Sequence, residues 1–172
     1  MLPIDKPSGM TSHDVVAVVR NRLSTKKVGH AGTLDPLATG VLVVWVGKAT
    51  RLSNYLTGQS KRYQARIQLG VETDTLDSDG VLLCTRSNVP DSSDTIESVL
   101  DGFRGKISQT PPMFSARKIE GKRLHKLARE GKTVEREARE VEIYELRILQ
   151  YRAPFLDLDI SCSKGTYVRS LA

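Results

Sequence analysis

The chain has 172 residues, a mass of 19.0 kDa and a formal net charge of +6, which is enough length for one well-packed domain or two small ones. Hydrophobic residues make up 39% and charged residues 27%, as in soluble globular proteins, and no apolar run approaches the ~20 residues of a membrane helix. The opening stretch, MLPIDKPSGM, contains an acid, a base and two prolines, so it is not a signal peptide and we expect a cytoplasmic protein.

The first part of the chain predicts one helix and one buried strand. Residues 11–14, TSHD, resemble a capping box with the shorter acid, so they predict a helix over residues 12–23. After a loop at residues 29–40, the run VLVVWV (residues 41–46) is continuous and rich in β-branched residues, which predicts a strand buried on both faces. Pro3 cannot donate a ladder hydrogen bond and indicates that the first strand lies at a sheet edge.

Three long strands are predicted further along the chain. Residues 63–69, YQARIQL, alternate apolar and polar side chains, which places Tyr63 on the core side at the beginning of its strand. Residues 156–162, LDLDISC, alternate as strictly, and their two aspartates are expected to face outward. Residues 141–149, VEIYELRIL, are the third candidate.

Helices are predicted over residues 95–103, capped by Asp94, and over residues 123–130, where apolar residues recur at i, i+3 and i+4. The turn-rich stretch at residues 74–94 indicates a peripheral connection rather than a domain boundary. Long strands separated irregularly by helices predict a mixed α+β domain with a largely antiparallel central sheet and flanking helices.

The potential metal ligands are scattered along the chain. Neither Cys84 nor Cys162 has a neighbouring cysteine, and the three histidines stand far apart in the sequence. We therefore expect buried or half-buried free thiols, without a disulfide, and no structural metal.

The charge is distributed unevenly. Residues 72–101 contain eight acids and one base, whereas residues 116–132 contain seven bases and two acids. A polyanionic partner would meet the second region and avoid the first. Since a solvated helix face accounts for most basic runs of this kind, charge alone does not establish nucleic-acid binding.

The loop GHAGTLDPLATG, residues 29–40, presents a single acid, Asp35, without a second acid or a serine or cysteine nucleophile. Pro36 forces the backbone of Asp35 to be extended, and glycines such as Gly29, Gly32 and Gly40 permit tight turns. Such a stiff loop presents one side chain with little freedom. The alternative is a structural turn in which Asp35 caps the turn that follows.

The last stretch, SKGTYVRSLA, follows a predicted strand, turns at Gly165 and is expected to begin a helix with Thr166 as its cap. Lys164 and Arg169 lie at this strand end and first helical turn. An arginine there would pair with a loop carboxylate and keep it ionised and oriented. The alternative is that both residues are surface cations.

Several stretches identify a family when they are taken in chain order. These are DKPSGMTS (5–12), GHAGTLDPLATGVL (29–42), KRY (61–63), GVETDTLDSDG (70–80), SQTPPMFSARKIEGKRLHKLAREGKTVEREAR (108–139) and CSKGTYVRSLA (162–172). Together they resemble the bacterial TruB family of tRNA pseudouridine synthases over essentially the whole chain. The resemblance implies that the protein isomerises uridine 55 in the T-loop of tRNA to pseudouridine and acts on a flipped-out base. It also implies that the reaction needs no cofactor and no metal. We expect the protein to be a monomer.

The resemblance also implies residue roles. Asp35 matches the catalytic aspartate, Tyr63 the active-site tyrosine that lies against the target base, and Arg169 the arginine that pairs with the aspartate. His30 matches the histidine that takes the space vacated by flipped nucleotides. Five further residues fall in motifs that line the same cleft and are expected to bind RNA: Lys6, Lys61, Arg62, Lys164 and Tyr167.

This chemistry explains why one acid suffices. The carboxylate serves as a nucleophile toward the ribose or the base, or as a base at the ribose 2′ position, and the sequence leaves these three open. In each case it must be ionised, so a cation such as Arg169 helps and a second acid would hinder. Tyr63 would stack on the uracil. Extruding the base costs a few kcal/mol, which His30 and phosphate contacts from residues 116–132 would offset.

The chain departs from the family pattern in places. Phe114 and His125 stand where tyrosine is common, and family members continue past Ala172, usually into a PUA-type RNA-binding module. We therefore expect residues 1–172 to be a C-terminally incomplete catalytic domain. Two other functions stay open: a non-catalytic tRNA-binding or RNA-folding module, and a nucleoside hydrolase, although glycosidases usually need a carboxylate pair.

Overall fold

The computed structural model describes residues 1–115, 117–119 and 121–172, which divide into two compact units, Met1–Gln59 and Ser60–Ala172. Each unit has its own sheet, and the strand pairings among the described residues are antiparallel. Helices accompany both sheets, so the α+β prediction is confirmed. The longest described helix has 11 residues, and none in this part of the chain has the length and apolarity to cross a membrane.

The first unit is a three-stranded sheet with one long helix and two short ones. Its elements are β1 (Leu2–Lys6), α1 (Ser12–Arg22), β2 (Val28–His30), β3 (Gly40–Val46), a 3₁₀ helix (Gly47–Leu52) and α2 (Ser53–Leu56), in the strand order β1-β3-β2. The predicted capping box of α1 is confirmed. The Thr11 hydroxyl accepts from the Asp14 amide at 3.1 Å, and the Asp14 carboxylate accepts from the Thr11 amide at 2.8 Å.

The core of this unit lies between α1 and the central strand β3. Three valines of α1 pack with residues of β2 and β3, and the buried set is Val15, Val16, Val19, Val28, Leu42 and Val44. Trp45 is buried as well, so the centre of β3 is covered on both faces as predicted, while Val41 at its beginning is exposed. Pro3 lies on the edge strand β1, opposite Val43, which confirms its predicted position.

The second unit is a four-stranded sheet with two small hairpins. Its strands are β4 (Lys61–Gln68), β5 (Val71–Thr73), β6 (Leu82–Thr85), β7 (Gly105–Gln109), β8 (Lys118–Ile119), β9 (Lys122–Arg123), β10 (Arg139–Arg152) and β11 (Phe155–Cys162). The main sheet has the order β4-β11-β10-β7, and the hairpins pair β5 with β6 and β8 with β9. Its helices are α3 (Ser93–Leu100), a 3₁₀ turn (Asp101–Phe103), α4 (Leu124–Arg129) and a second 3₁₀ turn (Val168–Ser170).

One face of the main sheet carries the core of this unit. Residues of α3, β10 and β11 form the buried cluster Ile96, Leu100, Ile143, Leu146, Leu156, Leu158, Ile160 and Cys162. Tyr63 packs against this cluster from β4, as the alternation predicts. Both cysteines are free thiols, Cys162 buried in β11 and Cys84 half-buried in β6.

The outward acids of β11 are less solvated than expected. Asp159 lies on the outer face, but only 6% of the residue is exposed, because Arg62 of β4 lies over it with hydrogen bonds of 2.9 and 2.6 Å. Arg66 forms the same two-pronged contact with Asp157 at 2.7 and 2.8 Å. The central position of β11 puts both acids beside a neighbouring strand that supplies arginines.

Two predicted helix caps are wrong. The cap of α3 is Ser92, whose hydroxyl accepts from the Thr95 amide, and not Asp94. The helix predicted over residues 95–103 is found as α3 to Leu100, followed by the 3₁₀ turn that ends at Phe103. Thr166 caps no helix, because its hydroxyl donates to the Ser163 carbonyl at 2.9 Å. The peripheral connection at residues 74–94 contains strand β6, which a turn-rich composition conceals.

Candidate active site

The loop that presents Asp35 is fixed by backbone hydrogen bonds on both sides of this residue. On one side, the buried hydroxyl of Ser12 accepts from the Leu34 amide at 3.0 Å and donates to the Leu34 carbonyl at 3.1 Å. On the other side, the Pro36 carbonyl accepts from the Gly9 amide at 2.9 Å. Asp35 itself is half-buried, and its own carbonyl closes a turn with the Ala38 amide at 3.1 Å. The stiffness inferred from Pro36 is therefore reinforced by the stretch at residues 9–12.

Lys6 supports the same loop from within. It is fully buried, and its ammonium group donates to the carbonyl oxygens of Pro7 at 2.9 Å, Met10 at 2.7 Å and Pro36 at 3.1 Å. Burial lowers the pKa of Lys6, and the nearby Asp35 carboxylate opposes that shift. An ammonium group has three N–H donors, and three carbonyls meet them. This geometry supports a structural role for Lys6 rather than the predicted contact with RNA.

The glycines of the loop are not equivalent. Gly32 and Gly40 have φ angles of 99° and 108°, a region in which a side chain would be strained, so these two positions require glycine for their turns. Gly29 lies in β2 and has no such angle. The turn argument therefore applies to two of the three glycines singled out from the sequence.

His30 ends β2, and its ring is held by two contacts. Nδ1 lies 2.7 Å from the Gly32 carbonyl oxygen. The His13 ring meets it edge-to-face, with the ring centroids 5.3 Å apart and the planes at 76°. Burial lowers the pKa of His30, while the hydrogen bond to Gly32 opposes that shift. His30 is thus half-buried, and its ring is held in one orientation.

Arg169 is anchored within the second unit. Its guanidinium donates to the Thr75 carbonyl at 2.7 Å and to the Phe114 carbonyl at 2.9 Å, and it pairs with the Asp77 carboxylate at 3.5 Å. The side chains of Arg169 and Asp77 are only 12% and 13% exposed. The ion pair with Asp77 was not foreseen. The predicted pairing with Asp35 joins residues of different units and stays a prediction.

The loop between β5 and β6 orients Asp77. One carboxylate oxygen of Asp77 accepts from the Thr75 hydroxyl at 2.5 Å and from the Asp79 amide at 3.1 Å, which leaves the other oxygen toward Arg169. The Thr73 hydroxyl donates to the Asp77 carbonyl at 2.7 Å. At Gly80 a Cβ atom would lie 2.2 Å from the Thr75 hydroxyl oxygen, so the loop closes only with glycine there. The repeated Thr and Asp of this stretch were the signal for such a network.

The remaining predicted residues of the second unit have differing surroundings. Tyr63 and Lys61 are half-buried on β4, opposite Ile160 and Cys162 of β11. Lys164 is exposed beside Gly165 in the turn after β11, and Tyr167 is half-buried. Arg62 is 64% exposed, although two of its nitrogens bind Asp159.

Gln109, a residue that the sequence did not single out, fixes the backbone of Tyr167. Its side-chain amide donates to the Tyr167 carbonyl at 3.0 Å and accepts from the Tyr167 amide at 2.8 Å. Gln109 is buried at the end of β7. Both hydrogen bonds hold the backbone of Tyr167, which is two residues before Arg169, and so they help to fix the backbone that leads into this arginine.

Comparison with known proteins identifies the chain's relatives. A family model described as the N-terminal domain of TruB family pseudouridylate synthases matches residues 20–168. This chain belongs to the TruB family. It is 47% identical over 171 residues to a tRNA pseudouridine synthase B of Clostridium kluyveri, covering 99% of this chain and 59% of the relative. It is 51% identical over 172 residues to that of Dehalococcoides mccartyi, covering 100% and 57%.

The solved structures that match are related to the TruB fold. A chain in the crystal structure of a Cbf5–Nop10–Gar1 complex matches with a TM-score of 0.71 and 32% identity, over 99% of this chain and 41% of that one. A chain in a structure of an H/ACA RNP bound to a substrate RNA containing 2′-deoxyuridine matches with a TM-score of 0.69 and 29% identity, over 99% and 39%. The TruB chain described here spans less than two thirds of the length of both curated relatives given above and of both these structures.

The two departures from the TruB pattern are accommodated. Phe114 contributes its backbone carbonyl to Arg169, and a carbonyl does not depend on whether the side chain is phenylalanine or tyrosine. His125 has Nδ1 3.1 Å from the Ser115 carbonyl oxygen. Neither substitution changes the described support of Arg169.

The basic region forms a small hairpin followed by a helix. In α4, Leu124 and Leu127 are buried, whereas Lys126 and Arg129 lie on other faces of the helix. A cavity of about 420 Å³ is lined by Gly121, Lys122, Arg123, Lys126, Leu127 and Glu130. Two positions of the predicted basic run, Ala116 and Glu120, lie outside the described residues.

Among the described residues, no group of three or more histidine, cysteine or acidic side chains is placed to hold a metal ion.

Proposed function

We propose that this chain carries the catalytic machinery of a tRNA pseudouridine synthase, which isomerises uridine 55 in the T-loop of tRNA to pseudouridine with Asp35 as the catalytic carboxylate. The observation on which this proposal rests is that the backbone of the loop is held on both sides of Asp35. Ser12 holds Leu34, and Lys6 and Gly9 hold Pro36, so the backbone is fixed immediately before and after the acid. The identity to curated tRNA pseudouridine synthases supports the assignment of substrate.

In this proposal the C1′–N1 bond of the target uridine breaks, the uracil rotates and a C1′–C5 bond forms. C5 loses its proton and N1 gains one, so the atoms balance without a cofactor. The ionised Asp35 assists as a nucleophile toward ribose or base, or as a base at the 2′ position. Tyr63, half-buried on β4, stacks against the flipped base and provides a hydroxyl for the proton transfer.

Arg169 would keep Asp35 ionised and oriented. Its guanidinium already has an ion pair with Asp77 and two carbonyl acceptors, so it is an oriented cation before any substrate arrives. A planar guanidinium has five N–H donors, which is enough to serve these three groups and a further carboxylate. The proposal thus makes residues 1–172 parts of a single catalytic domain, with Asp35 from the first unit and Arg169 and Tyr63 from the second.

The RNA would be bound through positive charge and ring stacking. Lys61, Arg62, Lys164 and Tyr167, together with the lysines and arginines around the α4 cavity, are the proposed contacts with the T-arm, and His30 fills the space left by flipped nucleotides. Lys6 is assigned to loop support, because carbonyls engage its donors. The proposed setting is a monomer acting in the cytoplasm.

The test is conversion of an unmodified tRNA transcript by the purified chain, with pseudouridine mapped by position. We expect conversion at uridine 55 and a loss of about 100-fold to 10,000-fold in rate for Asp35→Asn, the range found for a positioned acid or base. Asp5→Asn is the matched control, since Asp5 is an exposed aspartate of β1.

Other outcomes would replace this function. Binding of tRNA without conversion would favour a non-catalytic RNA-binding or RNA-folding module. Release of free uracil would favour a nucleoside hydrolase that uses Asp35 to stabilise an oxocarbenium ion. Equal rates for Asp35→Asn and the unaltered chain would remove Asp35 from the mechanism.

A further inference from the structure

The contact between His30 and Gly32 determines where the imidazole proton lies. A carbonyl oxygen can only accept a hydrogen bond, so at 2.7 Å the Nδ1 of His30 must carry the proton. A neutral imidazole has one N–H and one acceptor nitrogen, which makes Nε2 the acceptor. The hydrogen bond described for the His30 ring is made by Nδ1, on the opposite side of the ring from Nε2. Because burial lowers the pKa of His30, its ring is neutral at pH 8.

His13 supplies the second constraint on the His30 ring. It is the second residue of α1, directly after Ser12, and the capped first turn of the helix fixes its backbone. The edge-to-face contact, with centroids 5.3 Å apart and planes at 76°, is the geometry that aromatic rings prefer. A flip of the His30 ring would break the hydrogen bond to Gly32 and disturb this contact. The two constraints therefore select one orientation and one tautomer.

We propose that His13 is a positioning residue for His30, and that the pair presents Nε2 of His30 to the RNA as a hydrogen-bond acceptor. The group that meets this nitrogen must then be a donor, such as an exocyclic amine of a base or a ribose 2′-hydroxyl. This inference rests on the proposed function, since it takes His30 to be an RNA contact. Beyond that function, it states that the RNA group bound by Nε2 of His30 is a hydrogen-bond donor. It also states that His13 controls the orientation of the His30 ring.

The first test needs no RNA. The chain contains only three histidines, so ¹⁵N-labelled protein at pH 8 gives three imidazole spin systems, and His125→Ala serves as assignment aid and control. We expect a pyrrole-type signal for Nδ1 and a pyridine-type signal for Nε2 of His30. In His13→Ala the two signals should move toward each other as the second tautomer becomes populated, whereas His13→Phe, which keeps a ring, should retain the single tautomer. A protonated Nε2 in the unaltered chain, or no change in His13→Ala, would overturn the proposal.

The second test measures binding of an unmodified T-arm RNA to the same variants. His13→Ala should weaken binding about 2-fold to 10-fold, the equivalent of one aromatic contact, while His13→Phe stays close to the unaltered chain. Unchanged binding by His13→Ala in spite of a mixed tautomer would overturn the role in RNA recognition. Failure of the unaltered chain to bind any tRNA would instead contradict the proposed function, and the imidazole signals would still decide the tautomer.

Discussion

Lys6 and Arg169 are two largely buried cations, one in each unit, and they support their surroundings in different ways. Lys6 donates to three carbonyls and has no carboxylate at hydrogen-bond distance among the described contacts. Arg169 donates to two carbonyls and also forms an ion pair with Asp77. A compact ammonium group can donate to several carbonyls that surround it, whereas a planar guanidinium donates in a few fixed directions. The comparison predicts that loss of Lys6 would chiefly lower stability, whereas loss of the orientation of Arg169 would chiefly lower the proposed activity.

Replacement of Asp77 tests the reactive half of this comparison and should have the largest effect. Asp77→Asn keeps the shape and the acceptor that Thr75 and Asp79 use, but it removes the charge that holds Arg169. Because displacement of a catalytic group by about 1 Å costs on the order of 100-fold in rate, we expect a fall in kcat of that size with little change in KM. Single-turnover kinetics on a tRNA transcript measure it.

The matched control is Asp79→Asn. Asp79 is exposed in the same loop, and only its backbone amide takes part in the network. If both variants lose activity equally, the loss arises from the loop's overall charge and not from the orientation of Arg169.

Replacement of Lys6 tests the stabilising half. Lys6→Met fills a similar volume but leaves three carbonyls without their donor, so we expect the free energy of unfolding to fall by about 2 kcal/mol. Urea denaturation measures the loss, and kcat per folded molecule should stay within about 10-fold of the unaltered chain. A large fall in kcat with unchanged stability would reverse the division of roles between the two cations.

The Arg62–Asp159 pair extends the comparison to a cation whose side chain is largely exposed. Its replacement should have the smallest effect on stability of the changes considered. The Arg62 hydrogen bonds hold the pKa of Asp159 below its ordinary value. The unfolded chain therefore binds more protons at acid pH, so the free energy of unfolding falls as the pH drops below about 3.9 and through the lower folded-state value. In Arg62→Gln the pKa of Asp159 should rise and this acid dependence should shrink. Carboxyl NMR titration and acid denaturation measure the two effects, and an unchanged pKa would contradict the assignment.

Local patterns predicted much of the fold. The capping box at Thr11 and the alternation around Tyr63 act over a few residues, and both predictions are confirmed. Where two neighbouring residues compete, local reasoning is weaker: Ser92 and Asp94 are both good caps, and the choice depends on where the chain enters α3. Strand β6 was missed because its pairing with β5 depends on a loop rich in turn residues.

The site was predicted by motif and its supports were not. The positions of Asp35 and Arg169 follow from their motifs, but the partners described for Arg169 come from two distant segments, the loop between β5 and β6 and the stretch at Phe114. The burial of Lys6 and the clamp formed by Gln109 are likewise tertiary features, and a sequence treats either residue as an ordinary polar side chain. Charge and motif thus predict which residues form the candidate site, whereas packing determines the contacts that each of them makes.

The hydroxyl of Ser12 makes the same two backbone hydrogen bonds to Leu34 that a neighbouring β-strand would make. It accepts from the amide and donates to the carbonyl of the same residue, which are the two bonds that a ladder partner exchanges. Both backbone groups of the residue before Asp35 are therefore paired by one side chain of α1. A loop paired in this way is held in place without the addition of a strand, whose edge would be open to pairing with another chain.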